Sequence, residues 1–421
     1  MTRSATMPTD RTNSIRYRGS TYLYVLATSL LITIIGLASL AAVRIQMRSS
    51  RLRKDYAEAR ACATSAVELG VFYVRQDPNW RAARPNGTWV QDQAIGSARF
   101  TLQGIDPGDG VLSDSDKEPL VLTGIGTKGV SRHKAEVTLV PVIKPLEALN
   151  TCLHASGLVH VKAGKQIVAV GAPVSTNGQL DNEGTLDGDA HAKTVNRTGT
   201  ITGTFTLPGP HKTMPAASVI GDYISKATPV PYTATIDKAV LAPGCNPWGG
   251  PDPNGLYYIN TNGANLTIKN TRVWGTLIVN AGTGTVTLDT AVFLQNYRSD
   301  FPALLVQGNV IIKIQSCDMG LSEATNAVNY NPVGAPYGGV YDSDTLDVYP
   351  NEIRGLIHIT GALNLQQSAR VVGVLICDGP VTCEEANTII HNASLYASPP
   401  NGYTYVSEMK IDPHSWKQVV D

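Results

Sequence analysis

The sequence is poor in charged and aromatic side chains, and neither sign of charge is in excess. Charged residues make up 16% and aromatic residues 6% of the 421 residues, and 34 Lys and Arg balance 34 Asp and Glu. Soluble domains usually carry about 25% charged residues. A neutral chain lacks the basic surface that nucleic acids require, so we expect no nucleic-acid partner. Glycine (39) and proline (25) are abundant instead, which favours short strands joined by turns over a helical bundle.

The six cysteines and eight histidines do not have the spacing of a zinc site. No C-x-x-C or C-x-x-H pair occurs, and such pairs are the usual sign of structural zinc. Cys377 and Cys383 are close enough in sequence to form a local disulfide if the compartment is oxidising. Buried free thiols are the alternative for the same two residues.

Motifs of common enzyme classes are also missing. The sequence contains no G-x-S-x-G elbow, no H-E-x-x-H and no P-loop. His160 and His358 alternate with apolar neighbours, which is typical of structural side chains in strands. We therefore predict a protein that is not an enzyme. A tethered polysaccharide-active enzyme is a second alternative, because right-handed β-helices include lyases and hydrolases, and glycoside hydrolysis needs two opposed carboxylates.

A long uncharged run follows a basic leader, residues 1–19. From Ser20 to Val43 no residue is charged, and 24 residues of helix reach about 36 Å, enough to cross a bilayer. A cleaved secretory signal has a shorter apolar region, so we predict a retained transmembrane helix over 20–43. Arginines flank both ends, so charge does not decide the orientation. The β-rich content downstream favours a cytoplasmic N-terminus and an extracytoplasmic remainder.

Helical patterning continues beyond this run and predicts an amphipathic stalk helix over 44–78. Apolar and small residues recur at spacings of three and four until Pro78, which ends the helix. They are Leu52, Tyr56, Ala59, Ala63, Ala66, Val67, Gly70, Tyr73 and Val74. Small residues let another helix approach closely. Packing of the stripe on its own domain is the other interpretation.

This N-terminal segment resembles that of minor pilins and pseudopilins of bacterial type IV pilus and type II secretion machineries. The resemblance covers roughly residues 14–80: a basic leader, the dipeptide RG before a small residue, and an apolar helix that runs into "AEARACATSAVELGVFYV". It implies that a prepilin peptidase cuts after Gly19 and leaves Ser20 as the new N-terminus. Major pilins carry Phe at that position and Glu at the fifth, where this chain has Ser20 and Tyr24. The departure favours a filament tip or initiation role.

A small β subdomain is predicted over 79–145. "RFTLQGIDP", "PLVLTGIGTKG" and "HKAEVTLVPVIKP" each alternate apolar and polar residues, as half-buried strands do. One loop between them is acidic and contains Asp106, Asp109, Asp114, Asp116 and Glu118. Such a cluster can coordinate calcium through oxygen ligands, although its spacing is not that of an EF-hand. A solvated acidic turn is the favoured interpretation of this loop.

The remainder, 146–421, predicts a β-solenoid head of the right-handed β-helix type. Short strands rich in Val, Ile, Leu and Thr recur about every ten residues, with Gly or Asn at the corners, as in "GTLIVNAG" and "GLIHITG". The last part weakly resembles the bactofilin family of polymer-forming solenoids. The fold class is therefore α+β and mostly β, with a β-sandwich as the alternative for the head.

Two inserts near 242–255 and 322–353 interrupt this rhythm. Structured loops on a rigid scaffold often bind partners, and Tyr and Trp are favoured anchors, so Trp248, Tyr337 and Tyr341 are candidate contact residues. The second insert also holds three closely spaced aspartates that predict a possible Ca²⁺ site. They are Asp342, Asp344 and Asp347. Loops that simply pack over the solenoid are the alternative.

Together these features predict a non-enzymatic, pilin-like minor subunit. Its expected partners are other pilin-like subunits through the N-terminal helix, the lipid bilayer, and surface glycans or host or matrix ligands at the head. Its expected location is the bacterial inner membrane, as a single-pass protein, or a cell-surface filament or fimbrium with a role in assembly or adhesion. A membrane-anchored adhesin or cell-envelope structural protein is the first alternative. No cofactor other than Ca²⁺ is expected.

Overall fold

The structure is a computed structural model that describes residues 17–419, in which five α-helices, two short 3-10 helices and 28 strands form. The α-helices are α1 (Tyr17–Gln76), α2 (Trp80–Ala83), α3 (Val219–Ile224), α4 (Glu323–Asn326) and α5 (Ser394–Ala397), and the 3-10 helices are Glu147–Leu149 and Cys317–Met319. The chain forms two compact units.

The strands of the N-terminal region and of the head are numbered in chain order. They are β1 (Gly87–Ile95), β2 (Ala98–Ile105), β3 (Leu120–Lys128), β4 (Ser131–Pro145), β5 (Leu153–Ala155), β6 (Val159–Val161), β7 (Gln166–Val170), β8 (Val174–Asn182), β9 (Thr185–Asp187), β10 (Ala190–Arg197), β11 (Thr200–Ile201), β12 (Phe205–Thr206), β13 (Thr228–Pro229), β14 (Thr235–Asp237), β15 (Val240–Leu241), β16 (Leu256–Asn260), β17 (Leu266–Trp274), β18 (Thr276–Gln295), β19 (Leu304–Ile314), β20 (Leu321–Ser322), β21 (Val348–Tyr349), β22 (Ile353–Ile359), β23 (Leu363–Leu365), β24 (Arg370–Cys377), β25 (Val381–Cys383), β26 (Asn387–His391), β27 (Thr404–Ile411) and β28 (Lys417–Val419).

The first unit comprises the described residues up to Val142 and those from Val406 onward. Its sheet has the order β1-β2-β3-β4-β27, with β28 also paired to β4. The β1–β2, β2–β3 and β3–β4 pairs are antiparallel. Along β2 the inward residues are buried and the outward ones are not, which is the alternation that a one-sided sheet requires.

The sheet's inner face packs against the second half of α1. Ala59, Ala63, Ala66 and Val67 on the helix are fully buried. The helix approaches the sheet where β3 carries glycine, because a Cβ at Gly124 or Gly126 would overlap a main-chain carbonyl oxygen of α1. Small residues on both partners therefore bring backbone close to backbone. Of the two interpretations of the small-residue stripe, packing on its own domain is confirmed for this half of the helix.

The second unit spans Ile143–Tyr405 and contains one large sheet of 20 strands. Its strands pair in parallel with strands one turn away along the chain: Ile353 pairs with Val371, 18 residues later, and Leu256 with Thr276, 20 residues later. Parallel pairing at a regular spacing means that the chain coils. The unit is a β-solenoid-like, parallel structure, and this pairing favours the solenoid over the antiparallel β-sandwich alternative.

The order of the turns in the stack is not the order of the sequence. The last turn, β24 to β26, pairs on one side with β22 and β23 and on the other with β5, β6 and β7. The stack continues through β8 and β9 to β10 and β11, while β13 to β15 lie at the opposite end beside β16 and β17. The first turns of the head are thus joined edge to edge with its last turn.

Inward side chains stack into apolar columns that run through the sheet. One column follows the register from turn to turn and consists of Ile236, Ile268, Leu288, Ile312, Leu365, Cys383 and Val161, all buried. An outward column one residue further along the same strands alternates in charge: Asp237 pairs with Lys269, which pairs with Asp289, which pairs with Lys313. The Lys269 ammonium lies 3.5 Å from the Asp237 carboxylate.

A connecting segment covers one outer face of the solenoid-like sheet. Val219, Ile220 and Tyr223 of α3 form an apolar cluster with outward residues such as Ile278 and Leu305. The Tyr223 hydroxyl donates a hydrogen bond to the carbonyl oxygen of Asn401, 2.9 Å away. This face is therefore closed to solvent, and the apolar residues that point outward from these strands are not an exposed patch.

Two expectations differ from the structure. The head was predicted to extend over 146–421, but β28 pairs with β4 and residues from Val406 onward belong to the first unit. The predicted Cys377–Cys383 disulfide is not formed. The Cys377 thiol lies 3.1 Å from the Gly361 carbonyl oxygen and the Cys383 thiol 2.9 Å from that of Glu385, so both are buried free thiols. Desolvation raises the pKa of both thiols, which suits structural side chains.

Candidate functional site

The first half of α1 is the most unusual surface of the described chain. Its apolar side chains are exposed over residues 20–47; Tyr22, Leu23 and Tyr24 each present 70% or more of their surface. This helix is long and apolar enough to cross a membrane. Apolar area of this extent is costly in water, and it therefore indicates a lipid or protein environment.

Three hydroxyl side chains within this apolar half are hydrogen-bonded inside the helix. The Thr28 hydroxyl donates to the carbonyl oxygens of Tyr24 and Val25 at 2.9 and 3.0 Å, and the Thr33 hydroxyl to that of Ser29 at 2.8 Å. Ser29 bonds back to Leu26 in the same way. Such local bonds remove the cost of placing hydroxyl groups in hydrocarbon. The segment is thus compatible with a bilayer in its polar residues as well as in its apolar ones.

The predicted processing residues lie at the beginning of this helix. Gly19 and Ser20 are in the first turn of α1, and the rest of the basic leader, residues 1–16, lies outside the described residues. Tyr24, at the position where major pilins carry a carboxylate, is 73% exposed on the helix surface. Cleavage after Gly19 stays a prediction.

The second insert of the head is an ordered loop that is held by two buried ionic side chains. Arg272 is 1% exposed, and its guanidinium donates to the carbonyl oxygens of Tyr330 (2.5 Å), Ala335 (2.5 Å) and Pro336 (2.7 Å). The rings of Tyr337 and Tyr349 lie over the same guanidinium. Burial lowers the pKa of Arg272, and its charge is compensated by carbonyl dipoles and aromatic faces.

Glu323 is the second of these groups and is fully buried. Its carboxylate accepts hydrogen bonds from the Tyr349 hydroxyl at 3.0 Å and from the main-chain N–H of Asp347 at 3.1 Å. It also accepts from the N–H of Tyr330. Sequence reasoning missed Arg272 and Glu323, because one Arg in a strand and one Glu at a helix start give no pattern. Their burial depends on a loop that returns from far along the chain.

The three predicted Ca²⁺ ligands of this insert do not all converge. The amide nitrogen of Asn331 donates to Asp342 and to Asp347, at 3.2 Å in each case. Asp344 instead accepts from the N–H of Leu346 in its own turn. Asp342 and Asp347 are thus brought together by an amide donor, and Asp344 is turned to its own backbone. A Ca²⁺ site here stays a prediction.

The aromatic candidates differ in their exposure. Tyr337 packs edge-on against Phe293 and Tyr349, with ring centroids 5.7 and 4.9 Å apart, and Trp248 is half-buried against the solenoid core. Tyr341 is 60% exposed. Other exposed apolar side chains of the same insert are Val333, Val340, Leu346 and Val348. The inner part of the insert is therefore held by aromatic packing, and its outer surface is apolar and exposed.

Two further groups of potential ligands occur in the described residues. His160 on β6 lies beside its register partner Asp181 on β8, with 4.0 Å from Nε2 to the carboxylate, and 3.8 Å from Glu183. The other group is the acidic loop of the first unit, where Asp106, Asp109, Asp114 and Glu118 converge. His358, by contrast, is buried and hydrogen-bonded to Tyr403 at 3.0 Å, as a structural side chain would be.

No protein-family model matches the chain, and no curated protein matches it significantly. Among solved structures, the competence-associated pilin ComZ from Thermus thermophilus aligns over 87% of this chain and 97% of its own, with 11% identity and a TM-score of 0.28. Ice-binding protein 1 of Shewanella frigidimarina aligns over 60% of this chain and 98% of the other, with 13% identity and a TM-score of 0.28. An ice-binding protein of the Antarctic ascomycete Antarctomyces psychrotrophicus covers 59% and 98%, with 13% identity and a TM-score of 0.22.

Structural similarities with TM-scores this low assign neither a family nor a function to the chain. The predicted bactofilin resemblance of the head receives no support from them and stays a prediction. The residues themselves, above all the two contrasting halves of α1, indicate what the chain can do.

Proposed function

We propose that this protein is a non-enzymatic, pilin-like minor subunit of a type IV pilus or type II secretion-like filament. In this proposal the N-terminus faces the cytoplasm, α1 is held in the inner membrane before assembly, and the head is displayed outside the cytoplasm. The head is taken to be a right-handed β-solenoid. After assembly, the apolar half of α1 packs among the helices of partner subunits.

The observation that carries the proposal is the division of α1 into two halves with different surroundings. From Ala59 onward one face of the helix is buried against an antiparallel sheet, whereas residues 20–43 are uncharged and their apolar side chains are exposed. A helix that only anchored a domain would need no continuous extension into that domain's core. A subunit whose helix moves from lipid into a helical bundle needs a helix that is fixed to a folded domain, and the buried stripe fixes α1 to the sheet of the first unit.

The proposal predicts that the mature chain begins at Ser20. Gly19→Val in the full chain, produced in a bacterium that has a prepilin peptidase, is expected to retain residues 1–19, because a branched side chain at the cleavage site excludes the substrate from the protease. Gly36→Val is the matched control: it lies in the same apolar helix, with no neighbouring atom within 4 Å of an added Cβ. Intact-mass measurement of protein extracted from the membrane gives the N-terminus.

Three outcomes separate the candidate functions. A start at Ser20 in the wild type and in Gly36→Val, but not in Gly19→Val, supports the pilin-like subunit. An uncleaved wild-type chain in the membrane contradicts processing and favours the anchored adhesin or envelope protein, for which the exposed apolar residues of the second insert are the contact surface. A soluble chain that begins beyond Val43 contradicts both.

The proposed absence of enzymatic activity is a separate claim. Glycoside hydrolysis requires two free carboxylates across a bond, and in the second insert Asp342 and Asp347 share one amide donor. The claim would be contradicted if the wild-type protein turned over a polysaccharide and the double variant Asp342→Asn, Asp344→Asn did not.

A further inference from the structure

The acidic loop, residues 106–119 between β2 and β3, gathers four carboxyl groups at one point. Asp106, Asp109, Asp114 and Glu118 each contribute an oxygen atom, and these atoms lie within 4.8 Å of one another. Two oxygen ligands on opposite sides of a Ca²⁺ ion are about 4.6 to 5.2 Å apart, since each Ca–O distance is about 2.3 to 2.6 Å. All four oxygens are therefore close enough to share one ion.

Asp106 is the member of this group that is hardest to explain without a ligand. It is only 3% exposed, and its Oδ1 accepts hydrogen bonds from the N–H of Gly108 at 2.7 Å. Its Oδ2 is buried and has no hydrogen-bond partner, and the same is true of Oε2 of Glu118. A buried carboxylate oxygen without a donor is strongly unfavourable. A carboxylate oxygen of Asp106 also lies within 4.8 Å of an oxygen of each of the three other carboxyl groups, and this crowding of like charges adds to the unfavourable free energy.

Arg81 lies beside the loop but has no described hydrogen bond to these carboxylate oxygens. The described hydrogen bonds of the Arg81 guanidinium go to main-chain carbonyl oxygens, those of Leu112 (3.3 Å), Asp116 (3.4 Å) and Glu118. Arg81 thus fixes the path of the loop.

We propose that the acidic loop is a Ca²⁺ site, with the carboxylates of Asp106, Asp109, Asp114 and Glu118 as protein ligands. A set of four carboxylates without His or Cys suits a hard cation, and Mg²⁺ usually takes only one or two carboxylates and retains several waters. The ion would supply the positive charge that the buried oxygens lack. Because the loop joins β2 to β3, it would also fix the ends of these two inner strands of the sheet that packs against α1.

The test measures Ca²⁺ binding by the full chain in detergent micelles, after removal of metals with a chelator. Isothermal titration to about 10 mM Ca²⁺ covers the affinity range of extracellular sites, in buffer that contains Mg²⁺ to occupy nonspecific acidic groups. Asp106→Asn is expected to lose one bound Ca²⁺ per chain or to bind it at least tenfold more weakly. Asp92→Asn, a change of acid to amide in an exposed residue of the same unit that pairs with Arg99, is expected to bind as the wild type does.

A second measurement excludes misfolding as the cause of lost binding. Without metal, Asp106→Asn should unfold at the same temperature as the wild type or higher, because the amide removes a buried negative charge. With Ca²⁺, only the wild type and Asp92→Asn should gain thermal stability. A wild type that binds no Ca²⁺, or an Asp106→Asn variant that binds it equally well, would overturn the proposal. So would a wild type that is stabilised by acid and unaffected by Ca²⁺, since Asp106 and Glu118 would then share a proton.

Discussion

The two compact units of this protein bury their cores by different means. In the first unit a helix lies on an antiparallel sheet, and the contact depends on the absence of side chains at Gly124 and Gly126. In the second unit parallel turns stack, and the core consists of columns of branched side chains such as that through Leu288. One interface depends on very small residues, and the other on large apolar ones repeated at each turn.

This difference has a functional consequence. A close helix–sheet contact transmits force and orientation, because main chain meets main chain over a short distance. A stacked solenoid has no comparable single contact, since each turn pairs mainly with its two neighbours. In the proposed subunit, the first unit therefore holds the membrane helix firmly on its own sheet, and the second unit presents inserts on a stack of parallel turns. Point substitutions should accordingly have local effects in the head and cooperative effects in the first unit.

The largest effect is expected for Gly126→Val. The new Cβ would overlap the carbonyl oxygen of Ala59, and a main-chain atom of a long helix cannot move aside without loss of neighbouring contacts. We expect the free energy of unfolding of the first unit to fall by about 4 kcal/mol. Hydrogen exchange measured by mass spectrometry, with peptides from β3 and from β18 compared, assigns the loss to one unit.

The matched control for this change is Gly36→Val, on the exposed half of the same helix, which should leave exchange in both units unchanged. Faster exchange in the β18 peptides of Gly126→Val than in its β3 peptides would contradict the contrast between the units. So would unchanged exchange in β3.

A smaller effect is expected from protonation of His154 in the second unit. Burial lowers the pKa of this imidazole to about 4 from an ordinary value of 6.5. Its Nδ1 lies 2.5 Å from the Ser175 hydroxyl, and its Nε2 has no partner. Because the folded pKa is the lower one, the unfolded chain binds the proton first as the pH falls. Stability is thus complete above pH 6.5 and falls between pH 6.5 and 4, by about 3 kcal/mol.

His154→Gln is the variant that isolates this group, since Gln retains a hydrogen bond to Ser175 but does not titrate in this range. Urea unfolding of the second unit at several pH values, compared between wild type and variant, should show two curves that diverge below pH 6.5. Parallel curves would mean that His154 remains neutral in both states or is solvated. His133 in the first unit is also buried and its pKa is lowered. Unfolding in urea must therefore be followed through peptides of the second unit alone, so that His133 does not contribute to the difference between wild type and variant.

Local features of this fold were predictable from the sequence. The uncharged run and the spacing of small residues from Ala59 to Val74 predicted α1 and the side on which it packs, because helix periodicity is a property of neighbouring residues. Alternation predicted the strands of the first sheet, and the spacing of turns predicted a parallel, coiled head. The acidic loop was recognised as a cluster, although its convergence on one point was not.

The order in which elements associate was not predictable. That β24 pairs with β5, and that β28 returns to β4, depends on contacts between residues more than 200 positions apart. Parallel turns of similar composition can be stacked in several orders with the same alternation, so sequence pattern does not distinguish them. The same reason explains the missed roles of Arg272 and Glu323, whose partners come from a distant loop.

The smallest effect is expected on the outside of the solenoid, at the column of alternating charge. Lys269 and Asp237 are 3.5 Å apart and each is more than one-third exposed, so solvent screens their attraction. Lys269→Ala should reduce the free energy of unfolding of the second unit by no more than about 0.5 kcal/mol, with a smaller difference in high salt. A double-mutant cycle with Asp237→Ala isolates the pair. A coupling free energy well above this value that salt did not reduce would mean that the outer charges, and not the inner columns, fix the register between turns. The two units would then differ in their surfaces as much as in their cores.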